Sequence, residues 1–262
     1  MSTVVGNAPI HLIDEGSGSP TLFLHGNPDS AELWRGLIAR LRDRHRCLAP
    51  DLPGFGRSGV PAGFDGSLAA MARFVADLLA AIGLREPLNV VGHDFGGQFA
   101  LAWAIEHPER ARRLVVANTN FFSDYRWHPV ARALRTPLVG ELLMAATNGR
   151  SLERTLRKDA PRLPPGHMLR AGELYGRAAK RMALRLYRAG DPAQFRGWEG
   201  RLPALTARVP TCVLWGDRDP YAPADTADRF GAREVHHFPE HSHWVVVEAE
   251  EDVSELLGAF LR

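Results

Sequence analysis

The chain has 262 residues, 45% of them apolar and 24% charged, with 25 glycines and 19 prolines, which is the make-up of a folded globular protein and excludes a disordered or fibrous one. A net charge of +2 is too small and too dispersed to make nucleic acid an expected partner. No apolar run nears the roughly 18 residues of a membrane span, so a membrane partner is not expected either, and residues 1–6 lack the basic and apolar segments of a leader.

Taken in chain order, Leu12-Ile13, Thr21 to Leu24, Cys47 to Ala49, Leu88 to Val91 and Leu114 to Val116 read as short strands ending in turn or polar residues. Between the third and fourth, Leu68, Met71, Ala72, Val75, Leu78, Leu79 and Ile82 recur at three- and four-residue steps, which predicts a helix with one apolar face, stopped by Gly83. Strands alternating with helices at this spacing imply parallel crossovers and a central sheet covered on both faces. From Phe121 to Pro203 the rhythm breaks into Arg-rich helical stretches interrupted by Pro161, Pro164, Pro165 and Pro192. That segment carries 16 Lys and Arg against 7 Asp and Glu, leaving 16 against 23 elsewhere. Strand patterns return at Thr211 to Trp215 and Val235 to Phe238, with a short helix at Ala224 to Phe230 between them and a last helix from Val245 to Leu261. The expected architecture is therefore one α/β core domain, residues 1–120 and 204–262, with a mostly parallel sheet and an inserted helical cap, residues 121–203, after its fifth or sixth strand. Insertions beyond strand ends commonly build lids. Cys47 and Cys212 stand far apart with no ligand spacing, which predicts free buried thiols in a reducing compartment, the cytoplasm.

The sharpest local signal is Val90-Val91-Gly92-His93-Asp94-Phe95-Gly96-Gly97, a strand running into small residues and then into a helix, with Asp94 at the corner. This is the G-x-nucleophile-x-G spacing of an elbow that holds one side chain above a sheet. Small residues on either side let the backbone double back, and the helix start favours an ionised carboxylate. A serine is the commoner occupant. An aspartate suits attack on an sp³ carbon bearing a halide or an epoxide oxygen, giving an ester that water must then cleave. Cleaving it calls for an imidazole base held by a second carboxylate. These glycines form neither a dinucleotide fingerprint nor a P-loop, and no metal or cofactor is implied.

Four ordered signals span almost the whole chain: His25-Gly26-Asn27-Pro28, Gly92 to Gly96, Trp215-Gly216-Asp217-Arg218-Asp219, and His241-Ser242-His243-Trp244. With them the sequence resembles the α/β-hydrolase family, in particular its aspartate-nucleophile branch of haloalkane dehalogenases and epoxide hydrolases. The resemblance implies Asp94 as nucleophile, Asp219 as the acid three residues beyond the strand-ending glycine, and His243 as base, in preference to the neighbours Asp217 and His241. It also implies an oxyanion hole from the amides of Asn27 and Phe95. Asn118 occupies the place where some dehalogenases carry their acid, a role an amide cannot fill.

The side chains mix two signatures. Asn27 matches a halide donor, whereas Phe95 stands where dehalogenases usually place a tryptophan N–H. Trp127 in the insertion is a candidate substitute donor. Epoxide hydrolases usually protonate the ring oxygen with lid tyrosines, and Tyr187-Arg188 resembles one such site, with Tyr125 or Tyr175 as a second. The expected function is a cofactor-independent hydrolase of small molecules using water, haloalkane dehalogenase-like. Epoxide hydrolysis is the alternative, and a general-base or ligand-binding role a further one.

Overall fold

Alternation within the strands decides which face each residue covers. Along residues 22–24, Leu22 and Leu24 join one buried cluster and Phe23 the other; Val90 and Val91 divide likewise, as do Val213 and Leu214. A two-sided sheet follows. The computed structural model describes residues 1–262 and contains eight strands: β1 Ser2–Val5, β2 Ala8–Glu15, β3 Ser19–Leu24, β4 His45–Pro50, β5 Leu88–His93, β6 Ala111–Ala117, β7 Thr211–Gly216 and β8 Glu234–Phe238. Their spatial order is β1-β2-β4-β3-β5-β6-β7-β8. The pairs β1·β2 and β2·β4 are antiparallel and every other pair is parallel. The N-terminal strand β1 is absent from the expected strands, although Thr3-Val4-Val5 runs into Gly6-Asn7. It exists as the outer half of a hairpin whose two-residue turn begins with Gly6 at φ +60°.

The covering helices of the first half are α1 Arg35–Leu41, α2 Leu68–Ala81 and α3 Phe95–Glu106. The predicted apolar stripe of α2 is the buried one, its start is capped by the Ser67 hydroxyl accepting from Ala70 N–H, and Gly83 follows its end at φ +70°. Between β6 and β7 lie α4 Pro129–Arg135, α5 Val139–Ala146, α6 Gly149–Asp159, α7 Pro165–Leu174, α8 Arg177–Ala189, α9 Pro192–Glu199 and α10 Leu202–Arg208. Two of the four prolines that looked like interruptions are starts: Pro165 and Pro192 open α7 and α9, where a missing N–H costs nothing. After β7, residues 224–230 form a 3₁₀ helix, and the single terminal helix expected from the sequence is two, α11 Val245–Glu248 and α12 Glu250–Phe260, broken at Ala249. No helix is long and apolar enough to cross a membrane, and both cysteines are free and buried.

Candidate active site

The elbow is built by close approach. At the end of β5 the chain turns through Asp94, held at φ +52° and ψ −126°, and enters α3 at Phe95. An aspartate costs energy in this region, and surrounding contacts enforce it. The Asp94 carbonyl accepts from the Thr119 hydroxyl at 2.6 Å and from Gly97 N–H at 2.9 Å. A Cβ on Gly96 would overlap the Leu24 carbonyl, and one on Gly92 would overlap the Gly96 carbonyl. Gly26 plays the same part for the side chain, since a Cβ there would strike the Asp94 carboxyl group. That close approach lets Asn27 N–H donate to Asp94 Oδ2 at 2.9 Å. Burial raises the Asp94 carboxyl to about 7, against the opposing pull of the His243 charge and the Asn27 N–H.

Loops after β7 and β8 bring the other two carriers. Asp219 Oδ2 lies 2.7 Å from His243 Nδ1. The same oxygen accepts from Asn118 Nδ2 at 2.8 Å, and Asp219 Oδ1 accepts from the backbone N–H groups of Tyr221 and Ala222. Burial alone would raise the Asp219 carboxyl, but the His243 charge, its hydrogen bond and these donors outweigh it and leave it lowered. For His243 the signs reverse. Burial disfavours the imidazolium, yet Asp219, with a further contribution from Asp94, raises it to about 9. His243 Nε2 stands 4.0 Å from Asp94 Oδ2, beyond direct hydrogen-bond reach.

Asp94, Asp219, His243 and the Asn27 amide thus lie together. Asn118, unable to act as an acid, donates to Asp219. Asp217 and His241 lie outside: the former binds His237 at 2.6 Å on the surface, and the latter packs against Phe238. His93, next to the elbow, was not singled out in the sequence. Its Nε2 donates to the His243 carbonyl at 2.8 Å, and burial together with the nearby His243 charge lowers it to about 3, so it is a neutral donor to the loop that carries His243.

Above Asp94 lies a cavity of about 410 Å³, walled by the helices between β6 and β7 and lined by Asn27, Tyr175, Tyr187, Trp127 and His128 among others. The Tyr175 hydroxyl donates to Asn27 Oδ1 at 3.0 Å. The Tyr187 hydroxyl sits beside the same amide, and burial, with Asp94 close by, holds its phenol well above its ordinary range. Trp127 lines the cavity, but as a substitute halide donor it fails: its indole N–H is already donated to the Gly190 carbonyl at 3.0 Å. The Phe95 ring is buried away from the cavity lining and packs edge-to-face on Tyr187, with centroids 5.2 Å apart, so it supports a tyrosine and offers no side-chain contact to a halide. Tyr125 spends its hydroxyl on the Tyr221 carbonyl. His128 was missed by the sequence reading. It caps α4 by accepting Ala131 N–H at Nδ1, and burial, then the His243 charge, lowers it to about 4, which leaves a neutral ring in the cavity wall. The His-Pro pair at a helix start is the one signal that could have marked it.

This fold agrees with the comparisons. The family model described as alpha/beta hydrolase fold matches residues 20–255, and the chain belongs to that family, in its haloalkane dehalogenase-like branch. It is a hydrolase of that branch at modest identity to its relatives. Haloalkane dehalogenase 2 of Mycobacterium tuberculosis is 32% identical over 88% of this chain and 81% of its own. A cis-3-alkyl-4-alkyloxetan-2-one decarboxylase of Shewanella oneidensis is 28% identical over 96% of this chain and 85% of its own. The crystal structure of an ancestral haloalkane dehalogenase matches with a TM-score of 0.84 at 25% identity, covering 100% of this chain and 98% of that one.

Proposed function

We propose that this hydrolase works through a covalent ester at Asp94 and opens strained oxygen rings, epoxides above all. The observation that carries the reading is the pair of buried phenols, Tyr175 and Tyr187, gathered at Asn27 over the Asp94 carboxylate, together with the lack of an indole N–H there. One carboxylate oxygen attacks a ring carbon and the carbon–oxygen bond breaks. The leaving alkoxide takes a proton from a phenol, which a halide would not require. Water then gives a proton to His243 Nε2 and adds to the ester carbonyl, and the oxyanion is held by the amides of Asn27 and Phe95. Collapse releases the diol and returns Asp94 with one water-derived oxygen, while the His243 proton restores the phenol. Asp219 keeps the imidazole in the tautomer that accepts at Nε2. In this reading residues 121–203 form the cap that supplies the phenols, small molecules and water are the reactants, no cofactor takes part, and the enzyme works in the cytoplasm.

The relative named for an oxetan-2-one acts on a four-membered oxygen ring, so a strained ring is shared with an epoxide, although its named reaction is a decarboxylation. Haloalkane cleavage is the second reading. It is favoured by the Asn27 amide, whose Oδ1 is engaged by Tyr175 so that its NH₂ is left to donate, and by the relatives named haloalkane dehalogenase. Intact-protein mass spectrometry of His243→Phe, incubated with an aryl epoxide and a bromoalkane of different mass, separates the two. An adduct of the whole epoxide on the peptide containing Asp94 supports ring opening. An alkyl adduct would give the site to haloalkanes. A folded protein that stays unmodified across a wider panel would remove the ester mechanism.

A further inference from the structure

Helix α5 is amphipathic in the direction opposite to that of a packed surface helix. Its buried residues are Gly140 and Met144, four apart, while Val139, Leu142 and Leu143 face outward with Leu138 just ahead of them. Leu138 is 76% exposed and Leu142 71%, and Val130 on the neighbouring α4 adds to the same face. Leu138 stands at φ +65° and ψ −44°, a backbone strain imposed on a branched residue that is mostly exposed. Single exposed leucines are ordinary, whereas a continuous apolar face of this kind marks a surface that something covers.

Charge indicates what covers it. The one carboxylate on α4 and α5, Glu141, is clamped by Arg188 at 2.8 Å, while Arg126, Arg132 and Arg150 are exposed on either side of the face in sequence. The same face continues inward, because Val130 and Leu143 also line the cavity above Asp94, beside Leu134 and Met144. We propose that α4 and α5 dock on an anionic lipid surface, and that a substrate carrying an alkyl chain passes from that surface into the cavity between them. The proposal rests on the cavity being the substrate site and is indifferent to the leaving group. Membrane insertion is not required: an apolar face with a basic fringe lies in the headgroup plane. A second copy of the chain is the poorer occupant, since a two-fold contact would set the arginines of one fringe against those of the other.

Sedimentation with extruded vesicles tests this, using phosphatidylcholine alone and phosphatidylcholine mixed with phosphatidylglycerol. The protein is expected to partition onto the mixed vesicles and to be released by salt. Leu138→Ser with Leu142→Ser should cut partitioning by at least about tenfold, and Arg126→Glu with Arg132→Glu should abolish the preference for anionic lipid. Neither leucine lines the cavity, so the ester trap of His243→Phe with a water-soluble epoxide should survive unchanged in the leucine variant. That separates failure of docking from failure of the proposed chemistry. Absence of partitioning, equal partitioning of parent and leucine variant, or a solution dimer that the leucine substitutions convert to monomer would overturn the proposal, the last by giving the face to a second copy.

Discussion

At the C-terminal edge of the sheet each reacting group is fixed several times over, whereas the helices between β6 and β7 reach the same cavity mainly through side-chain tips. Asp94 is placed by backbone strain, by glycines with no room for a Cβ and by Asn27 N–H. Asp219 has four hydrogen-bond partners besides its place on the loop. On the helical side, Tyr175, Tyr187 and Trp127 are held by packing on one another, on Phe95 and on a few polar contacts. The proposed nucleophile, acid and base therefore belong to the part of the fold that is most constrained locally. The groups that choose a leaving group and a substrate shape belong to the part that can.

The largest expected effect tests the first half of that contrast. Asp219→Asn keeps the volume but lets an amide donate to His243 Nδ1, favouring the tautomer protonated at Nε2, which has no acceptor there for the proton of water. Turnover should fall about 10⁴-fold, with ester accumulating. Adding Asn118→Asp, which returns a carboxylate to the neighbouring end of the 2.8 Å contact, should recover at least about tenfold. Rapid-quench measurement of ester formation and decay would decide it, and a loss confined to ester formation would contradict the assigned role.

The next effect concerns how the two regions are joined. His167 on α7 places Nε2 2.9 Å from Asp29 Oδ1, both residues buried, and Asp29 Oδ2 accepts the Trp244 indole N–H at 2.8 Å, one residue beyond His243. His167→Ala leaves the buried Asp29 carboxylate without its imidazole partner and should cost about 2 kcal/mol. Urea unfolding would read this directly. A loss below about 1 kcal/mol would mean that packing alone seats the helices.

These contacts also mark how far the sequence is legible. The strands, the α2 stripe and the elbow are local patterns, in which neighbours in sequence are neighbours in space, so Asp94, Asp219 and His243 stand where the motifs put them. The partnership of Tyr175 with Asn27 spans 148 residues, and the orientation of the Trp127 N–H depends on Gly190, which local spacing does not encode. His93, His128 and Tyr221 went unnoticed for the same reason. A histidine bonding a distant carbonyl looks like any other histidine until the fold brings the carbonyl to it.

On the helical side, Tyr187→Phe removes the phenol beside Asn27 and keeps the ring that packs on Phe95. Epoxide turnover should drop about 100-fold through ester formation, with little change in ester hydrolysis. Bromoalkane turnover, if present, should change less than about threefold, since a halide needs no proton. Equal losses on both substrates would assign Tyr187 to shape and not to the leaving oxygen.

The smallest effect lies within the sheet and concerns what the strained elbow costs. Because the folded Asp94 carboxyl titrates near 7, well above its ordinary value, the folded chain holds a proton that the unfolded chain has released across the range from about 4 to 7. Stability must then decline as pH rises through that range, the opposite of a salt-bridged aspartate. His243 acts in the same direction at higher pH: its raised value near 9 stabilises the fold below about 6.5 and ceases to do so as pH climbs through 9. Asp94→Asn removes the first of these dependences and weakens the second, to which the Asp94 charge contributes after Asp219. At pH 8 it should be more stable than the parent by about 1–2 kcal/mol, or roughly 2–8 °C in melting temperature, and the advantage should vanish near pH 4. A difference that does not vary with pH would place the cost in backbone strain at φ +52° and leave burial of the charge with no measurable share.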